Sequence, residues 1–109
     1  VRGGLSPAAR RRVEDYVEAH LDQPLTLPDL AGLSGLSTHH FARMFKASFG
    51  LPPHRYVTLR RVEKARRLLK DGLSPLAEIA LDCGFSSQSH FSNCFKSATG
   101  VTPRGFRNL

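Results

Sequence analysis

The sequence predicts an all-α fold made of two similar halves joined by one long helix. Three observations predict it. Apolar residues recur at helical spacing along most of the chain and nowhere alternate with period two, so no sheet is expected. Serine, threonine and proline stand where helices would start, and glycine where they would stop. A stretch of the first half also returns in the second. HFARMFKASFG runs from His40 to Gly50, and HFSNCFKSATG runs from His90 to Gly100.

The elements follow in order. Ser6-Pro7 gives an N-cap with proline at the first helical position. Val13, Tyr16, Val17, His20 and Leu21 then fall on one helical face. Thr26 with Asp29 has the form of a capping box at the head of a short apolar helix, Leu27 to Leu33. Gly35-Leu36-Ser37 makes a turn, and Ser37 caps the helix that carries the first quoted stretch. Leu51-Pro52-Pro53 breaks the chain. A long basic helix follows, from about Pro53 to Asp71, with Tyr56, Leu59, Val62, Ala65 and Leu69 along one side. Gly72 suits its C′ position. Ser74-Pro75 starts another short helix. "CGFS" turns the chain, and Ser86 or Ser87 caps the second copy. Thr102-Pro103 begins a last short turn ending near Phe106.

The repeat is larger than the quoted stretches. Leu30-Ala31 matches Ile79-Ala80, and Gly35-Leu36-Ser37 matches Gly84-Phe85-Ser86, at an offset of 49. After one inserted residue, Phe41 matches Phe91, Phe45 matches Phe95 and Gly50 matches Gly100, at an offset of 50. Each unit is a short helix, a turn containing glycine and a second helix, the layout of a helix-turn-helix.

Stepping about 100° per residue separates two faces on each second helix. Phe41, Met44, Phe45 and Ser48 cluster with Phe49 alongside, whereas His39, Arg43 and Lys46 point away, flanked by Ala42 and Ala47. In the copy, Phe91, Cys94, Phe95 and Ala98 cluster, whereas Ser89, Asn93 and Lys96 point away, flanked by Ser92 and Ser97. The shared residues are inner and the outer faces differ. One scaffold is used twice to present two different surfaces.

Bulk properties bound the function. The chain has 109 residues, 40% of them apolar and 23% charged, which suits a small folded domain without a large catalytic cleft. Sixteen Lys+Arg against nine Asp+Glu leave a net charge of +7. That excess favours a polyanionic partner. No apolar run approaches the roughly 20 residues of a membrane span, and no membrane partner is expected. Cys83 and Cys94 form neither a disulfide framework nor a metal-ligand spacing with any histidine, so no metal or cofactor is expected and a reduced, cytoplasmic setting fits. The only methionine is Met44. The chain therefore reads as a piece of a longer protein or one trimmed at its start.

An outer helix face of this kind can lie in a DNA major groove. Arginine pairs with guanine O6 and N7, and asparagine with adenine N6 and N7. A capped helix N-terminus offers backbone N–H groups to phosphate, and a lysine at the far end adds a point charge.

From Leu5 to Arg107 the chain resembles the DNA-binding domain of the AraC/XylS family of bacterial transcription regulators. The resemblance rests on LAGLSGLSTHHFARMFKASFGLPPHRYV, on RRVEKARRLL, and above all on LAEIALDCGFSSQSHFSNCFKSATGVTPRGFR. It implies about seven helices: a first helix-turn-helix subdomain at 5–51, a linker helix at 52–72 and a second subdomain at 73–109. The two recognition helices would enter successive major grooves. By position, base contacts would come from His39, Ala42 and Arg43 in the first unit and from Gln88, Ser89, His90, Ser92 and Asn93 in the second. Phosphate contacts would come from Ser37, Thr38, Lys46, Ser86, Ser87 and Lys96. Ala42 stands where relatives often carry a longer polar side chain, so it offers only apolar contact, as to a thymine methyl. Asn93 stands where arginine is frequent, which weakens the case for guanine readout there.

The resemblance also implies a cytoplasmic, nucleoid-associated activator of transcription that works with RNA polymerase at promoters. The fragment alone is expected to be monomeric, and the intact protein dimeric through an N-terminal domain outside it. His40 and His90 sit beside the core face and suit packing or capping roles. His20 is expected to flank the core and His54 to be exposed. Arg10, Arg11, Arg12 and the basic residues encircling the long helix are expected to be mainly solvated. Two rival readings are an enzyme using an exposed cysteine thiolate and a non-specific basic module for RNA or membrane surfaces. A linker helix of about 18 residues spans about 27 Å. It is expected to set the recognition helices about one DNA turn apart on a site that need not be palindromic.

Overall fold

The computed structural model describes residues 3–109. These hold seven helices and no strand: α1 (Pro7–Ala19), α2 (Leu27–Leu33), α3 (Thr38–Phe49), α4 (Pro53–Asp71), α5 (Leu76–Asp82), α6 (Gln88–Thr99) and α7 (Pro103–Arg107). Serine or threonine hydroxyls cap five of them. Ser6, Thr26, Ser37, Ser87 and Thr102 each accept a backbone N–H from the first turn of the helix that follows. Each such cap satisfies one of the donors that a helix start leaves unpaired.

The chain divides into two compact units. The first holds residues 3–20 and Pro24–Val57, and the second holds Leu21–Gln23 and Thr58–Leu109. In the first, Val13, Val17, Leu30, Ala31, Phe41, Phe45 and Val57 are buried. Phe45 stacks on Phe49 with centroids 4.1 Å apart and meets Tyr56 edge-on at 5.4 Å. In the second, Val62, Ala65, Leu69, Ile79, Cys83, Phe85, Phe91, Phe95 and Phe106 form one apolar cluster.

Several expectations are corrected. Leu21 lies beyond the end of α1 and is buried in the second unit. His20 ends α1 as its C-cap, stacked on Tyr16 at 4.1 Å, with Nδ1 donating to the Tyr16 carbonyl at 2.8 Å. Leu59 is 40% exposed. A single stripe through α4 fails because Val57 packs in the first unit while Val62, Ala65 and Leu69 pack in the second. Ala98 is exposed, whereas its counterpart Ser48 is half-buried and accepts from the Leu5 N–H at 2.7 Å. The segment that covers Ser48 precedes α1 and has no copy in the repeat. Ser74 does not cap α5. Pro75 holds the N-cap position without a side-chain bond, and the Ser74 carbonyl accepts from Arg107 Nη2 at 2.7 Å.

The basic residues are less idle than solvation implies. Arg10 Nη1 donates to the Ser48 carbonyl at 3.0 Å, and Arg12 Nε donates to the Leu33 carbonyl at 3.2 Å. Lys64 Nζ donates to the Asp82 carbonyl at 2.8 Å. Each serves a carbonyl in the last turn of a helix, where acceptors lack intrahelical donors and the helix dipole favours a cation. Arg61 donates from Nε to Leu21 and from Nη2 to Gln23, at 3.0 and 2.8 Å. Its half-buried guanidinium has a pKa lowered by desolvation.

Candidate nucleic-acid interface

The two units build their second helices by the same devices. After α2, the Gly35 N–H donates to the Gly32 carbonyl and the Leu36 N–H to the Ala31 carbonyl. After α5, the Gly84 N–H donates to Leu81 and the Phe85 N–H to Ala80. Both are Schellman turns, with Gly35 at φ 66° and Gly84 at φ 85°. Glycine reaches this left-handed region without a Cβ penalty.

The helix that follows each turn starts on a serine. Ser37 Oγ accepts from the His40 N–H at 3.2 Å, and Ser87 Oγ accepts from the His90 N–H at 3.0 Å. The cap of the copy is therefore Ser87. It, and not Ser86 as the sequence match at an offset of 49 implies, is the counterpart of Ser37, at an offset of 50, and Ser86 is the inserted residue. Each cap leaves its own O–H free to donate, as a phosphate contact needs. The far ends match as well. Gly50 and Gly100, at φ 79° and 86°, close α3 and α6 with N–H bonds to Lys46 and Lys96 carbonyls.

The inner faces are alike. Phe41, Phe45, Phe91 and Phe95 are all completely buried. The outer faces are unlike. On α3, His39, Arg43 and Lys46 are exposed and Ala42 is half-buried; Ser37 and Thr38 are exposed at its start. On α6, Gln88, Ser89, His90, Asn93 and Lys96 are exposed and Ser92 is half-buried; Ser86 and Ser87 are exposed before it. Within each unit, the sequence-predicted residues thus gather on the outer side and first turn of one helix.

His40 and His90 are both exposed, so neither is a packing residue of the core. His90 has a local role that sequence reasoning missed. Its Nδ1 lies 3.0 Å from Ser86 Oγ, and its ring meets Phe85 edge-on at 5.5 Å. The four-residue spacing of Ser86 and His90 was the available signal.

Burial raises the pKa of both cysteine thiols. Cys83 is fully buried, and desolvation pushes its thiol up to about 11. Burial also raises Cys94, which is half-buried against the second unit's core. Among the described residues, no group of His, Cys, Asp and Glu could hold a metal ion. No described helix is long and apolar enough to cross a membrane.

The sequence pattern of the family described as "Helix-turn-helix domain" matches residues 30–109. The fold superposes on a transcriptional regulator of Chromobacterium violaceum described as an AraC-type DNA-binding domain-containing protein. The TM-score is 0.86 and the identity 33%, over 93% of this chain and 90% of that one. The chain belongs to the AraC-type helix-turn-helix family. A further likeness is to the DNA-binding domain of AdpA, a global transcriptional factor solved in complex with a target DNA. There the TM-score is 0.86 and the identity 28%, over 90% of this chain and 88% of that one. Among curated relatives, the probable transcriptional regulator LumQ of Photobacterium leiognathi is 34% identical over 95 residues, 87% of this chain and 38% of LumQ. The chain spans about a third of the length of the curated relatives it matches.

Proposed function

We propose that this chain is a sequence-specific binder of double-stranded DNA, with α3 and α6 as recognition helices in successive major grooves. The observation that carries the proposal is the repeated scaffold: Schellman turns, serine caps and phenylalanine pairs of the same kind hold two helices whose exposed faces differ. A merely solvated surface gives no reason to repeat the scaffold and vary the face. The likeness to the AdpA domain solved with its target DNA supports the same reading.

In this reading His39, Ala42 and Arg43 meet bases in one groove, and Gln88, Ser89, His90, Ser92 and Asn93 meet bases in the next. Ser37, Thr38, Lys46, Ser86, Ser87 and Lys96 meet phosphates. The subdomains are residues 5–51 and 73–109, joined by 52–72. The whole protein is a cytoplasmic regulator of transcription working with RNA polymerase, as activator or repressor. It dimerises through a domain N-terminal to this monomeric piece. It is not an enzyme: buried Cys83 and its raised pKa disfavour the thiolate reading.

Selection of duplexes from a random library, followed by footprinting, tests the proposal. The expected result is a preferred site with two unlike halves about one turn apart. Inserting about five base pairs between the halves should reduce affinity to that of one half. Equal competition by random duplex overturns the proposal in favour of a non-specific basic module.

A further inference from the structure

Ser86 is the residue that the second unit has and the first lacks. Its backbone N–H lies 3.4 Å from His90 Nδ1, and its hydroxyl oxygen lies 3.0 Å from the same nitrogen. The Phe85 ring meets the imidazole at 84°, with centroids 5.5 Å apart. A backbone N–H can only donate, so Nδ1 accepts. A neutral imidazole with an accepting Nδ1 carries its proton on Nε2. The hydroxyl turns to donate to the same lone pair. The first unit has Leu36 in the place of Phe85 and no residue in the place of Ser86.

We propose that Phe85 and Ser86 hold His90 as a hydrogen-bond donor through Nε2–H, which α6 directs at an acceptor atom of DNA, either a phosphate oxygen or a purine N7. This rests on the DNA-binding reading and deepens it. It fixes the direction of the His90 hydrogen bond and replaces the phosphate contact read for Ser86 with a positioning role exerted through His90. A donor at this point favours acceptors and is mismatched to the amino groups of adenine and cytosine.

Two experiments test it. Long-range proton–nitrogen spectra of the 109-residue chain without DNA, at about pH 8.5, read the tautomer. His90 should carry its proton on Nε2, and Ser86→Ala should raise its Nδ1–H fraction. A proton on Nδ1 in the unmutated chain overturns the proposal.

The second is a mutant cycle on the selected duplex. His90→Ala should weaken binding roughly tenfold, the scale of one hydrogen bond to a charged group. His90→Gln, whose amide N–H reaches the Nε2 position, should recover most of that loss. His90→Asn should not. Ser86→Ala should weaken binding in the unmutated chain and have no further effect beside His90→Ala. Additive losses make Ser86 an independent contact and overturn the positioning role. Methylphosphonate and 7-deazapurine duplexes locate the acceptor, since one of them should abolish the His90 dependence. Persistence of that dependence in both overturns the contact. If no duplex is preferred at all, the DNA reading fails and the contact with it, while the tautomer stays on Nε2.

Discussion

Arg61 and Gly84 converge on one atom, the Leu21 carbonyl oxygen. Arg61 Nε donates to it at 3.0 Å, and a Cβ placed on Gly84 would drive into it and lie 2.8 Å from that same Nε. Gly35, the matching turn glycine of the first unit, faces open space. The pair separates two reasons for glycine. Gly35→Ala suffers only the left-handed backbone and should cost about 1–2 kcal/mol. Gly84→Ala adds a clash with backbone and should cost more than about 3 kcal/mol. Denaturant unfolding of both variants measures the difference. Equal losses would show that the second turn relaxes away from Leu21.

Arg43 is the only arginine on the outer face of either α3 or α6, and it is exposed. Arg43→Ala should cost roughly 1–3 kcal/mol of specific binding and relax preference at one or two base pairs. Repeating the duplex selection with the variant checks this. A uniform loss across all sequences would make Arg43 a phosphate contact.

Lys46 and Lys96 occupy equivalent outer positions one turn beyond the centre of each face. Alanine at either should weaken specific and random DNA alike. The slope of log affinity against log salt should flatten by about one unit for each lost phosphate contact. Titrations at several salt concentrations measure it, and an unchanged slope in both variants would leave these lysines solvated.

The Cys83 thiol titrates near 11 in the folded chain, against 9.0 for a free thiol. The unfolded chain therefore loses this proton first as pH rises. The folded state binds more protons between about pH 9 and 11, so Cys83 lowers stability across that window and is neutral below it. At about pH 8 a thiol reagent should label Cys83 only slowly in the native chain and promptly after unfolding. Fast native labelling of Cys83 would mean that the core opens readily.

What was legible in the sequence was what is local. The bounds of α2 and α4 could be read from Thr26, Pro53 and Gly72 because caps and breakers act within one turn. The inner face of α3 could be read because Phe41 and Phe45 repeat at helical spacing. Contacts made far along the chain were not legible. Arg10 reaches Ser48 and Arg12 reaches Leu33 across 38 and 21 residues. Nothing near an arginine reveals which helix end will arrive beside it. Ser86 and Ser87 offered two equivalent hydroxyls, and only the fold assigned the cap to Ser87. Periodicity showed that Arg43 and Asn93 point outward, which states a direction. The atom that each would meet depends on a second molecule.

Within α3 and α6, the positions that fold the helix and the positions that face outward do not overlap. The first set is Phe41 and Phe45 with Gly50, or Phe91 and Phe95 with Gly100; the second includes His39 and Arg43, or Ser89 and Asn93. Inheritance can therefore rewrite one surface without endangering the domain. Exchanges at the outer positions fall where substitutions usually shift stability by no more than about 0.5 kcal/mol. Because the scaffold is present twice, one copy can drift while the other stays fixed. A lineage could then move between targets one half at a time, passing through intermediates that still fold and still hold half of the old address.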